Sequence, residues 1–194
     1  MKTSYCSEKV ARFNSGNEPD QTKLPSAEGI KNYVSQSSSS FGRLVQGTFE
    51  LRTHEEAERL SAMLALNTVI PERASVGFWE LLSNAIEHGN LAIDMDLKTE
   101  LLLQGTFEGE IALRHNLAEY RDRYVTVEFS SQPKKVFLKV MDQGEGFDYE
   151  KILTQEITHD RPNGRGIMLA QQFGFDQLEY QGKGNVVEGS IFID

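Results

Sequence analysis

Apolar and polar positions divide the chain in two. Residues 1–40 are polar, hold few large apolar side chains and end in Ser35-Gln36-Ser37-Ser38-Ser39-Ser40. Such a stretch buries too little to offset its ordering entropy, so it reads as a flexible tail or linker. From Phe41 to Asp194 the pattern is that of a folded domain. Residues 44–52 read as a strand. Thr53 with Glu56 forms a capping box, opening a helix with Ala57, Leu60 and Leu64 on one face. Pro71 suits the first turn of a second helix, which runs to about His88 and stops at Gly89-Asn90. Residues 91–122 mix charged residues with a helical apolar period, and predict an insertion of one or two helices. Val125, Val127 and Phe129 alternate with polar residues. Val136, Leu138 and Val140 repeat the pattern after a turn at 131–134, which makes a hairpin. Residues 164–173 read as a helix, and 176–181 with 186–193 as a last hairpin around Gly182-Lys183-Gly184-Asn185. This order predicts an α+β fold. Helices lie on one face of a mixed, mostly antiparallel sheet in a two-layer sandwich, with a helical insertion at 91–122.

The 194 residues suit one domain plus a tail, and 39% hydrophobic residues are enough for a core. The charge changes the picture more. Lys plus Arg number 20 against 29 Asp plus Glu, giving a net charge of −9, so the chain repels phosphate backbones and nucleic acid is not expected as a partner. Cys6 is the only cysteine, which rules out an internal disulfide and a cysteine metal site. The four histidines lack zinc-ligand spacing. Met1 to Tyr5 carries no apolar h-region, and no stretch approaches the ~20 apolar residues of a membrane span. A cytoplasmic protein without a membrane partner is expected.

Candidate chemistry sits in separated segments. In Trp79-Glu80-Leu81-Leu82-Ser83-Asn84-Ala85-Ile86-Glu87-His88, the residues Glu80, Asn84 and His88 recur every four positions. On a helix that spacing gathers a carboxylate, an amide and an imidazole on one stripe, opposite Trp79, Leu82 and Ile86. Asn84 offers a neutral oxygen to Mg²⁺, Glu80 a base for a hydroxyl proton, and His88 a contact to phosphate. Asp142-Gln143-Gly144-Glu145-Gly146 follows a buried strand. Glycines there permit close backbone approach, and Asp142 can accept a hydrogen bond from an exocyclic amine such as that of adenine. Gly164-Arg165-Gly166 opens a helix, where backbone N–H groups and a fixed cation attract phosphate. Taken singly, these segments read equally as a solvated helix face, a plain turn and a loop. Neither a dinucleotide fingerprint nor a Walker P-loop is present.

Together, in this order and context, the segments resemble the GHKL ATPases, which include gyrase B, the histidine kinases and MutL and share the Bergerat ATP-binding fold. Glu80 to His88 resembles the N box, Asp142 to Gly146 the first glycine box, and Gly164 to Gly166 the second. The resemblance covers about residues 42–194. Within the superfamily the string Glu-Leu-Leu-x-Asn-Ala-x-x-His, the Gly-Phe-Asp after the first box and Gly-Arg-Gly-Ile look like the anti-sigma-factor serine kinases of the RsbW and SpoIIAB type.

The resemblance implies ATP and Mg²⁺ as ligands. Asp142 would sit on the adenine amine, Asn84 on the metal, and Glu80 would be general base toward a partner serine. His88 and Arg165 would meet phosphate, and Gly144, Gly146, Gly164 and Gly166 would line the nucleotide. It implies a STAS-type anti-sigma antagonist as phosphoacceptor, and admits a sigma factor, a serine phosphatase or a second copy of the chain as partners. Residues between Phe147 and Asn163 would form the lid. The insertion departs from the compact members and resembles versions attached to response regulators and phosphatases. A non-catalytic, nucleotide-dependent module that sequesters a sigma factor or other regulator is the alternative function. A histidine-kinase catalytic domain is disfavoured by the missing phosphoacceptor helix.

Overall fold

A computed structural model describes residues 26–37, 42–149, 170 and 174–193. Five strands form one sheet in the order β1-β2-β3-β5-β4. They are β1 (Gln46–Leu51), β2 (Val125–Gln132), β3 (Lys135–Met141), β4 (Gln177–Gln181) and β5 (Val186–Phe192). The α+β class is as expected. The sheet was expected to be mixed, yet all its pairings among the described residues are antiparallel. Tight turns impose this on the β2–β3 and β4–β5 hairpins, while β1–β2 and β3–β5 pair antiparallel across longer connections.

Alternation decides which face is covered. Val127 pairs with Val140 and Phe129 with Leu138, while Val136 pairs with Ile191 and Val140 with Val187. All are buried under the helices. The opposite face carries Glu128 beside Lys139, Lys139 beside Glu188 and Glu188 beside Glu179. Lys139 reaches the Glu188 carboxylate at 3.0 Å.

Helix α2 (His54–Ala65) starts with the capping box read from Thr53 and Glu56. Helix α3 (Pro71–Asn84) lies against the sheet, with Phe78 edge-on to Phe129 at 6.3 Å and tilted to Phe175 at 5.8 Å. Trp79, Leu82 and Ile86 are all buried, as their stripe requires. A Cβ added to Gly77 would lie 2.7 Å from the Gly174 backbone, so glycine lets α3 approach that segment. Gly77→Ala gains up to ~1 kcal/mol of helix propensity but forces two backbones apart. A net loss of about 1–2 kcal/mol is expected, read as a melting point lower by about 2–8 °C.

Two expectations are corrected here. Residues 1–40 are not tail throughout: α1 (Ala27–Ser35) is capped by Ser26, and Ile30 and Val34 are buried. Spaced four apart, these two apolar residues suffice because the helix has α2 and α3 to pack on. The second helix, expected to run unbroken to about His88, changes register at Asn84. Residues Ala85–Asn90 form a π-helical turn, with the Leu91 N–H donating to the Ile86 carbonyl at 2.9 Å. The insertion forms two helices, α4 (Met95–Gln104) and α5 (Phe107–Asn116). Apart from the buried Ala170, the helix expected at 164–173 lies outside the described residues, as does most of the expected lid.

Candidate functional site

Helix α3 and its π turn carry Glu80, Asn84 and His88. Glu80 is half-buried, and burial raises its carboxyl above the ordinary carboxylate range. Lys98 pulls the other way and Glu87 adds to the rise. Such a shift moves a carboxylate toward the range of a useful base at neutral pH. Asn84 stands at the α-to-π junction, and its Nδ2 is buried without a hydrogen-bond partner among the described residues. Orphaned amides of this kind ask for a polar group that completes them. The amide fits a hydrated Mg²⁺ beside phosphate in that it can supply a neutral oxygen.

His88 is held differently from its stripe. Its Nδ1 lies against the Ile93 carbonyl, and burial is the main cause holding the imidazole below its ordinary pKa. A neutral ring donating through Nδ1 presents only an acceptor at Nε2. A phosphate contact there requires a protonated ring.

Asp142 follows β3 at the sheet end nearest the π turn. Its N–H donates to the Asn185 carbonyl at 3.0 Å, and Asn185 Nδ2 donates back to its carbonyl at 3.2 Å. Its Oδ1 accepts from the Gly144 N–H at 2.8 Å. A Cβ on Gly89 would sit 2.3 Å from Asp142 Cγ, and one on Gly144 would sit 2.4 Å from the Gly89 carbonyl oxygen. Gly146 has φ +80°, and a Cβ there would meet the Lys183 carbonyl at 2.0 Å. Gly144 and Gly146 thus serve close approach of backbone to backbone. Burial pushes the Asp142 carboxyl up to about 6, against the Gly144 N–H and the charges of Lys183 and Arg123. Burial and the Asp142 charge likewise raise the Tyr180 phenol.

The structure therefore brings Asp142 against Gly89, one π turn beyond Asn84. Gly164, Arg165 and Gly166 lie outside the described residues. Sequence reasoning passed over a buried network beside the site. Glu87 Oε1 lies 2.9 Å from His54 Nε2, and its Oε2 meets Lys98 of α4. Burial opposes the charge on Glu87, yet His54 and Lys98 hold its carboxyl below the ordinary range. Asn90, read as part of a helix stop, is buried and accepts the Gln143 N–H through Oδ1 at 2.8 Å. Its signal was faint: an amide just past Gly89 fits any helix end.

Residues 111–190 match a family model described as the histidine kinase-like ATPase domain. The matched stretch holds β2 to β4, the Asp142 turn and the first part of β5, and Glu80, Asn84 and His88 precede it. The five-stranded antiparallel sheet is consistent with the Bergerat ATP-binding fold. No curated protein matched the chain. Among the described residues, no helix is long and apolar enough to cross a membrane.

Proposed function

We propose that this chain binds ATP with Mg²⁺ and phosphorylates a serine on a STAS-type anti-sigma antagonist, as a cytoplasmic serine/threonine kinase of a partner-switching pathway. The observation that carries the reading is the seat of Asp142. A carboxylate whose burial opposes its charge is pressed onto the end of the helix that bears Glu80 and Asn84. Groups kept at such expense concentrate at functional sites. Similarity of residues 111–190 to the histidine kinase-like ATPase domain supports the ATP-binding part of this reading.

In this reading Asp142 accepts a hydrogen bond from the adenine amine. Asn84 would hold Mg²⁺ through its amide oxygen, and the ion, when bound, neutralises phosphate charge. Glu80 takes the proton of the serine hydroxyl as its oxygen bonds to the γ-phosphorus and the bridging β–γ bond breaks, releasing ADP. Arg165, with Gly164 and Gly166, would face the phosphates. Incubation of the full chain with Mg·ATP and STAS proteins encoded nearby should yield phosphoserine on one of them. Absence of calorimetric ATP binding would remove the reading altogether.

A second reading, sequestration of a sigma factor or other regulator, draws on the insertion. Leu103 is 83% exposed and Leu113 55%, on a helical pair that could meet a partner. Capture of a regulator in one nucleotide state, with no phosphate transferred, would favour it.

A further inference from the structure

Hydrogen bonds outside the ATP chemistry join the insertion, the π turn and the glycine turn. Arg123, at the insertion's exit, donates from Nη1 to the Asn90 carbonyl at 3.1 Å. The Asn90 side chain, in a residue only 3% exposed, accepts the Gln143 N–H at 2.8 Å. Gln143 Oε1 in turn accepts the Tyr124 N–H at 2.9 Å. Arg123 and Tyr124 are neighbours in sequence, so these bonds close a ring through three chain segments. Gln143 is also the residue next to Asp142.

The ring is braced from the insertion side. Arg114 donates from Nη1 to the carbonyls of Leu91 at 2.7 Å and Ala92 at 2.9 Å. Both guanidinium groups lie over the Tyr120 ring, Arg114 at 5.7 Å and Arg123 at 5.1 Å. Carbonyls of residues 90, 91 and 92, which emerge as the π turn ends, are thereby held by two rigid cations. Asn90 uses its acceptor half, and its Nδ2 is buried without a partner among the described residues. An ordinary helix stop needs neither that buried amide nor a bond across to the turn beside Asp142.

We propose that Asn90 and Arg123 are positioning residues of the nucleotide site, which act through Gln143 to hold the Asp142 carboxylate in place, and that the insertion is thereby a structural part of that site. The proposal rests on the ATP-binding reading above. A loose Gln143 lets the carboxylate swing away from the exocyclic amine that it must meet. The loss should therefore fall on the base rather than on the phosphates, which are bound elsewhere.

The test is calorimetric titration of Mg·ATP and Mg·GTP into full-length wild type, Arg123→Met, Arg123→Lys and Gln143→Ala. Amide hydrogen exchange is followed at Gln143 and Tyr124. Arg123→Met should weaken ATP roughly tenfold, as loss of a charge-assisted hydrogen bond predicts, and narrow the preference for ATP over GTP. Exchange at Gln143 should quicken, and Arg123→Lys should recover part of the affinity. If Arg123→Met fails to fold, Gln143→Ala, an exposed change that frees the Tyr124 N–H and leaves the backbone bond to Asn90 in place, carries the same affinity and preference expectations, with exchange quickened at Tyr124. Variants that exchange faster yet bind ATP with wild-type affinity and preference overturn the proposal alone. A wild type that binds no ATP overturns the ATP reading and this proposal with it.

Discussion

Asp142→Asn should leave the nucleotide-free protein more stable at pH 7.5 and bind ATP more weakly. The folded carboxyl titrates at about 6 against an ordinary 3.8, chiefly because it is buried. The folded state therefore holds a proton over a range where the unfolded chain has released it. Stability drawn from this group is full below about 4, declines as pH rises toward 6, and stays lost above. At about 1.4 kcal/mol per pH unit, the gap is worth at most about 3 kcal/mol. Asparagine keeps an acceptor for the Gly144 N–H and removes the charge. The variant should melt several degrees higher at pH 7.5 and show no advantage at pH 4. ATP affinity should fall by about 10–100-fold, the worth of a hydrogen bond to a charged group. A variant less stable at every pH contradicts the burial argument, and undiminished ATP affinity removes Asp142 from adenine recognition.

Glu80→Gln should lower phosphate transfer by about 10²–10⁴-fold, the usual worth of a general base. Glutamine keeps the size of the side chain and cannot take a proton, so ATP affinity should change little. The pH profile gives an independent reading. Burial raises the Glu80 carboxyl, so its basic form is gained only above the ordinary carboxylate range. Single-turnover transfer should rise with pH through that higher value. Lys98→Met, which deletes the cation opposing the rise, should displace the inflection further upward. Transfer by Glu80→Gln at near the wild-type rate would rule out the base, whatever else the site binds.

Much of the frame was legible because it rests on local rules. The Thr53–Glu56 box, the Val/Phe/Leu alternation of β2 and β3, and the 182–185 turn each specify their own backbone. What escaped depended on partners far along the chain. Helix α1 has two deeply buried apolar residues and forms because other helices receive them. The spacing of Glu80, Asn84 and His88 assumed one helical period, but the π turn begins at Ala85, so His88 reaches the Ile93 carbonyl. No residue spacing announces that change of hydrogen-bond register. Glu87 carried no signal of its own in the sequence. It is buried because His54, thirty-three residues earlier, and Lys98, eleven later, both arrive beside it.

The side of the sheet opposite the helices, as the described residues present it, has a consequence for how copies of this chain can associate. Across β2, β3, β5 and β4 runs a row of Glu128, Lys139, Glu188 and Glu179, so a single ammonium is left to answer three carboxylates. Laying two such surfaces flat together would confront acid with acid and strip both of water. Along this row, then, the sheet opposes a flat pairing of like chains.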